Sequence, residues 1–446
     1  MRRIAATLGI AATLAVLLAT VSFAAVASAR PAPKHDVHSG RASSQPDQVI
    51  QWNQTLLQLL QTPGAQPATV HPTRSLAITQ LAVYDAVNAI EGGNAPYLRG
   101  HPAPRAASPD AAAAAAAHTV LLALFPSQQP MIDSKYQDSL SQVGGGAHVR
   151  QGIRVGTNAA EAILAARAND GSAATPPPFT PQAGPGEYQL TPPSFQQPMF
   201  THWAAVRPFA LRTGDQFRPP APPSVTSSRY TADFNEVKSL GQMNSAARTA
   251  EQTQIGQFWG AAPVQNVWNQ IAQTAGMAHD NTLAQNARMF ALLDTSVADG
   301  VIALYDSKYA YHRWRPVTAV QAADSDGNPD TTGDPSWTPL SATALDPSYA
   351  GAHAEISQSA AVALRDFFGT DRLDFSLTTP SLPSVVRSFQ SFSQAADEAS
   401  VSRIYAGQHF RFDEDAGQAL GNEVGDFVLD SILGAAGHAH GLRNTA

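Results

Sequence analysis

The sequence predicts a mainly α protein built of helical bundles, with a proline-rich ordered loop in mid-chain. Three observations carry that expectation. Apolar residues recur at helical spacing on both sides of the middle. Alternating apolar and polar runs, the mark of half-buried strands, are scarce. One central stretch is too dense in proline for a long helix, yet it carries aromatic residues that need burial. At 446 residues the chain can bury a sizeable core.

Residues 1–29 read as an export signal. Arg2 and Arg3 form a positive start, residues 4 to 29 carry no charge, and Ala27-Ser28-Ala29 fits a small-residue cleavage site. The stretch is also long enough for an uncleaved membrane anchor. Residues 30–47 are polar and turn-rich, a disordered lead-in. The N-terminal helical region is 48–175. "VIQWNQTLLQLLQ" spaces Trp52, Leu56, Leu57 and Leu60 as a helix, and "RSLAITQLAVYDAVNAI" does so with Leu76, Leu81 and Val87. "SPDAAAAAAAHTVLLALF" opens on a serine and an early acid, then runs on strong helix formers. Gly144 to Gly146 punctuate before "VRQGIRVGTNAAEAILAAR". Residues 176–226 are the proline-rich segment, with Phe195, Trp203, Phe209 and Phe217 interleaved; they read as a loop wrapped on the core. Residues 227–446 form the C-terminal helical region, whose longest pattern is "LAQNARMFALLDTSVADGVIALYDSKYAY".

Composition excludes several chemistries. Cysteine is absent, so disulfides, thiolate metal sites and cysteine nucleophiles drop out. A net charge of −7 argues against nucleic acid as the main partner. No stretch beyond the signal is apolar enough for a stable membrane span. An anion site must therefore be a local basic pocket.

Three clusters supply such a pocket. In "KYAYHRWRP", Lys308 and Arg315 are seven apart, which on one helix puts them on one face, with Pro316 ending that helix. In "DPSYAGAHAEISQSAAVALRDFF", Gly351, Ala352 and His353 precede a strongly helical run, placing their amides at a helix N-terminus suited to an anion. In "SRIYAGQHFRFDED", Arg403 and His409 converge only if the chain turns between them, and Gly407 permits that. Asp413 lies four residues after His409 and can orient its imidazole. Arginine forks, a lysine point charge and two histidines together suit a tetrahedral oxyanion. One histidine can bond the central atom while the other moves protons.

The ordered pattern Lys308-x6-Arg315-Pro316, Pro347-Ser348 through His353, and Ser402-Arg403-x5-His409-x3-Asp413 resembles the signature shared by vanadium-dependent haloperoxidases and type 2 phosphatidic acid phosphatases. Text from about Asn286 to Gly425, "RSLAITQLAVYDAVNAI" and "WAAVRPFALRTGDQFRPP" are similar to bacterial haloperoxidase homologues, so the resemblance covers most of the mature chain. It implies helical bundles of the haloperoxidase and acid phosphatase type. It implies vanadate as cofactor, with Lys308, Arg315, Arg403 and the Gly351 and Ala352 amides holding its oxygens. His409 would be the vanadium ligand, or the phosphohistidine nucleophile of a phosphatase, and His353 the acid–base residue. Asp413 would support His409. The implied partners are hydrogen peroxide and a halide or small organic substrate, in an exported protein.

Two positions depart from the family. The usual serine-glycine-histidine reads Gly351-Ala352-His353, so a serine hydroxyl is missing. Asp346 stands where haloperoxidases tend to carry an aromatic residue or histidine, and a carboxylate there disfavours anionic halide. Three readings stay open: a secreted vanadate-dependent peroxidase, an acid phosphatase using the same pocket, and a non-catalytic extracellular binding protein. "DSDGNPD", from Asp324 to Asp330, reads as a polar turn rather than a calcium loop, since Pro335 replaces the expected glutamate. "GHAHG" near the end reads as a solvated tail. Asp294, Asp299 and Asp306 read as a polar helix face or as support for the site.

Overall fold

A computed structural model describes residues 46–67, 70–100 and 103–435. The expected signal, most of the lead-in and the histidine tail lie outside them. The described residues form thirteen α-helices and one hairpin. Five helices come first: α1 (Gln48–Leu60), α2 (His71–Glu91), α3 (Pro109–Leu124), α4 (Gln129–Val143) and α5 (Ala147–Arg167). Then follow α6 (Ser228–Leu240), α7 (Ala250–Gly260), α8 (Val264–Ala278), α9 (Leu283–Tyr311), α10 (Pro316–Ala322) and α11 (Ala352–Phe368). The hairpin β1 (Arg372–Thr379) and β2 (Leu382–Ser391) precedes α12 (Phe392–Tyr405) and α13 (Arg411–Ser431). No single described helix is long and apolar enough to cross a membrane.

Two layers of packing meet on α9. On one side α2 packs on α3, α5 and α9; on the other, α11 packs on α9, α12 and α13. α9 is buried along most of its 29 residues, from Asn286 to Lys308. Thr282 caps its start, and Gln285 returns a bond to the cap amide, so two orphan N–H groups are satisfied.

The alanine run of α3 is a packing device as well as a helix former. Residues Ala111 to Ala117 are buried, and α5 faces them with Gly152 and Gly156. α13 presents the same device to α11. Gly417, Gly421 and Gly425 recur every fourth residue, and a Cβ on them would lie 2.4 Å from the Gly351 carbonyl, 2.6 Å from the Glu355 carbonyl and 2.8 Å from Val362. The two backbones therefore approach as closely as glycine allows.

The proline-rich stretch has no helix beyond the single turn Trp203–Ala205. Its order comes from outside itself. The Asp299 carboxylate on α9 accepts from the amides of Phe209, Ala210 and Leu211 at 2.6, 2.7 and 2.8 Å. Arg218 makes two bonds to Asp306 of α9. Tyr311 and Tyr349 donate to the carbonyls of Pro219 and Pro220. Tyr188, Trp203 and Phe209 are buried, whereas Phe195 stays 59% exposed.

The hairpin is the strand structure that periodicity did not reveal. Phe375 pairs with Phe389 across it, and Phe375, Leu377 and Thr379 alternate inward. The signal existed in "DFSLTT" with Pro380-Ser381 as the turn, but covers only one short run.

The glycine stripe yields a stability prediction. Gly421→Ala gains up to about 1 kcal/mol of helix propensity. Its methyl meets a helix backbone that cannot swing aside. The expected net loss is about 1–3 kcal/mol, seen as a lower denaturation midpoint. A gain in stability would show that α11 and α13 are not clamped there.

Candidate oxyanion site

The site forms where three chain reversals meet. Lys308 lies in the last turn of α9, which ends at Tyr311 with His312 in the left-handed region at φ 47°. Arg315 then sits extended as the N-cap of α10, with Pro316 at its first position. This corrects the sequence reading: Lys308 and Arg315 do not share one helical face, and Pro316 starts a helix. The turn at His312 brings the two cations together.

Lys308 is fully buried. Its Nζ donates to the carbonyls of Pro347 at 2.6 Å and Ser348 at 3.2 Å, and stands 3.4 Å from Asp346 Oδ1. Burial pushes its ammonium down to about 8. Arg315, 1% exposed, donates through Nε to the Asp346 carbonyl and through Nη2 to the Asp346 carboxylate. Its Nη1 donates to the Gln408 carbonyl at 3.0 Å and faces His409 Nε2 at 3.0 Å. The Lys308 and Arg315 charges hold the Asp346 carboxyl below its ordinary value despite burial.

Gly407, at φ +74°, turns the chain between α12 and α13 and brings Arg403 and His409 to one place. The Arg403 guanidinium is buried, and its Nη1 has no hydrogen-bond partner. Burial lowers it to about 10, and the neighbouring Glu414 opposes that fall.

The geometry fixes the tautomer of His409. Nη1 of Arg315 is a donor, so Nε2 carries the lone pair. Nδ1–H therefore points to Asp413 Oδ2, 3.3 Å away. The same Oδ2 accepts from Ser348 Oγ at 2.6 Å and from the Phe410 amide at 2.9 Å. Burial, then the charges of Arg315, Lys308 and Arg403 and the neighbouring His353, hold His409 well below its ordinary value. The imidazole is neutral, and its Nε2 lone pair accepts from Arg315 among the cations. Burial lifts Asp413 to about 6.

His353 is the second residue of α11 and half-buried. Its Nε2 donates to the Trp259 carbonyl, 3.0 Å away in the last turn of α7. A carbonyl only accepts, so Nδ1 holds the lone pair. Burial and then the Arg403 charge lower this histidine to about 3.

Gly351 caps α11 with ordinary extended backbone, but its amide donates to the Asp413 carbonyl at 2.8 Å. That amide is spent inside the protein, which corrects its expected role toward the anion. Ala352 and His353 keep first-turn amides that have no acceptor within the helix. The space a side chain on Gly351 would take is filled: a Cβ there lies 2.3 Å from Glu414 Oε1. Glu414 is 1% exposed, neither carboxylate oxygen has a partner, and burial raises it well above the usual range.

Sequence reasoning missed Glu414, Ser348, Trp259 and Tyr305, which donates to Asp346 Oδ2 at 3.0 Å. Glu414 and Ser348 had a signal, as residues inside the third and second motifs. The other acids serve elsewhere. Asp294 is fully buried, accepts from Asn269 and is raised to about 8. Asp324 and Asp326 accept within their own turn, from Gly333, Asn328 and Thr331. Among the described residues no cluster of histidine and acid side chains forms a conventional metal site.

A family model described as the VCPO second helical-bundle domain matches residues 288–435, the span that holds Lys308, Arg315, Asp346, His353, Arg403 and His409. The chain is 25% identical over 270 residues to vanadium chloroperoxidase of Curvularia inaequalis, covering 45% of this chain and 43% of that protein's length. Its fold is similar to a solved bacterial vanadium-dependent iodoperoxidase, with a TM-score of 0.72 and 27% identity over 87% of this chain and 96% of the other. A holo-type bacterial vanadium-dependent chloroperoxidase is similar at a TM-score of 0.67 and 17% identity, over 87% and 98% of the two chains. Family model, curated relative and solved folds agree that this chain is similar to vanadium-dependent haloperoxidases.

Proposed function

We propose that the chain is an exported vanadate-dependent peroxidase that oxidises halide or a small organic substrate with hydrogen peroxide. The observation that carries this reading is the His409 lone pair. Nε2 carries no proton and accepts from Arg315, because Nδ1–H is fixed on Asp413. The orphaned Arg403 Nη1 supports it, since a buried guanidinium N–H without a partner calls for an external acceptor.

These residues fit a tetrahedral oxyanion. Lys308, Arg315 and Arg403 would hold vanadate oxygens, the first-turn amide of Ala352 would add a donor, and His409 Nε2 would be the vanadium ligand. The chemistry vanadate supplies, when bound, is Lewis-acid activation of hydrogen peroxide. Forming hypohalous acid from halide and peroxide consumes one proton and releases water. His353, neutral and free at Nδ1, is placed to take a proton from peroxide and return it. Asp413 keeps His409 in the tautomer that leaves Nε2 bare.

A second reading is an acid phosphatase, with His409 Nε2 attacking phosphorus. Asp346 weakens the first reading, because a carboxylate at the pocket repels halide. Assaying purified protein with and without vanadate, for iodide and bromide oxidation and for phosphomonoester hydrolysis, separates the two. Vanadate-dependent halide oxidation is expected. Hydrolysis that vanadate inhibits, without oxidation, would favour the phosphatase.

The two histidines should separate in effect. His409→Ala should abolish turnover under either chemistry, because ligand or nucleophile is gone. His353→Ala should keep oxyanion binding but slow turnover by about 10²–10⁴-fold. Equal loss of vanadate binding in both variants would show that the two roles are misassigned.

The Gly351 site gives a paired test. Gly351→Ser alone forces Glu414 out of its place, so it should lower stability without improving vanadate affinity. Gly351→Ser with Glu414→Ala makes room for the hydroxyl. A hydrogen bond to a charged group is worth about 1.5–3 kcal/mol, so the pair should bind vanadate at least ~10-fold tighter than either single variant. Vanadate titration checks it, and no gain would mean that Gly351 does not face the anion.

Export is proposed from residues 1–29, with cleavage after Ala29. N-terminal sequencing of protein from the culture medium should begin at Arg30. A chain still starting at Met1 in the membrane fraction would indicate an anchor.

A further inference from the structure

The cations expected to receive an oxyanion already hold one of the protein's own. All three ammonium hydrogens of Lys308 face an acceptor: the Pro347 and Ser348 carbonyls, and Asp346 Oδ1 at 3.4 Å. Arg315 spends Nε on the Asp346 carbonyl, both Nη1 hydrogens on Gln408 and His409, and one Nη2 hydrogen on the Asp346 carboxylate. One Nη2–H remains free. Arg403 differs, with an Nη1 that has no partner.

Asp346 is not a casual neighbour. It is 8% exposed, Tyr305 fixes its second oxygen, and its own carbonyl is tied to Arg315. Its carboxylate thus spans two cations from a fixed position. One anionic oxygen, Oδ1, stands between a lysine and an arginine, where an oxygen of a bound phosphate or vanadate would stand.

We propose that Asp346 is a built-in counter-anion of the pocket, competing with incoming oxyanions for Lys308 and Arg315 and limiting the charge of the anion admitted. This rests on the reading of the pocket as an oxyanion site. An incoming anion meets a fixed negative charge and finds fewer open donors on Lys308 and Arg315 than the motif suggests. Arg403 and the first turn of α11 become the open receiving side. A singly charged oxyanion suffers least from Asp346, and a doubly charged one most.

The test is calorimetric titration of inorganic phosphate, sodium vanadate and sodium nitrate into wild type and Asp346→Asn at one mildly alkaline pH. Asparagine keeps the shape and removes the charge. The expected result is phosphate and vanadate binding on the order of 10- to 100-fold tighter in the variant, with a smaller gain for nitrate. A merely structural ion pair would give lower stability and no gain in affinity. If Asp346→Asn is unfolded in anion-free buffer, added phosphate should restore its native circular dichroism, because an external anion replaces the missing one. Wild type that binds phosphate, with a folded variant that binds no tighter, overturns the role of Asp346 alone. A gain as large for nitrate as for phosphate overturns the limit on charge. If neither folded protein binds phosphate or vanadate, the oxyanion reading falls, and this inference with it.

Discussion

Burying cations is the constraint on which this pocket depends. Lys308, Arg315 and Arg403 lie at 0, 1 and 7% exposure. Removing such charges from water costs several kcal/mol each unless they are paired and hydrogen-bonded. The protein answers with carbonyls at the chain reversals, with Asp346, and with Glu414 beside Arg403. It leaves part of Arg403 unanswered. The same low-dielectric surroundings keep both histidines neutral, so each keeps an unprotonated nitrogen among positive charges. Ligand-ready nitrogen and unsatisfied guanidinium are thus two results of one desolvated site.

Close helix packing makes the arrangement hold. The glycine stripe of α13 lets α11 approach until the Gly351 amide reaches the Asp413 carbonyl. That bond ties the start of one helix to the start of the other. α9 carries Lys308 into the same place and is itself buried by both bundles. The site therefore lies where three rigid helices end, not on a free loop.

The helical class and the three motifs were legible because each is local. Apolar spacing, capping residues and the order of lysine, arginine and histidine are all written along the chain. Contacts between distant elements were not. Lys308 and Arg315 looked like one helical face because the left-handed turn at His312 leaves no strong mark; histidine there is not a usual breaker. The Gly351 amide seemed free because its acceptor, the Asp413 carbonyl, lies 62 residues on. Glu414 filling the space beside Gly351 is a volume exchange between two helices, invisible to spacing. The departure at Asp346 was visible, but its bonds to Lys308, Arg315 and Tyr305 were not. The hairpin escaped because two short strands on a helical protein give too little alternation.

Asp299 shows what one buried carboxylate does for a segment without regular structure. By accepting from three successive amides, it performs for Phe209, Ala210 and Leu211 the service a neighbouring strand performs for a sheet edge. The proline-rich crossing is thereby fastened to the middle of the central helix, a few turns from Lys308 on that same helix. The segment that joins the two halves of the chain is thus tied to the rod that carries a pocket lysine. Substituting that one aspartate would leave three successive amides without an acceptor rather than break a single contact.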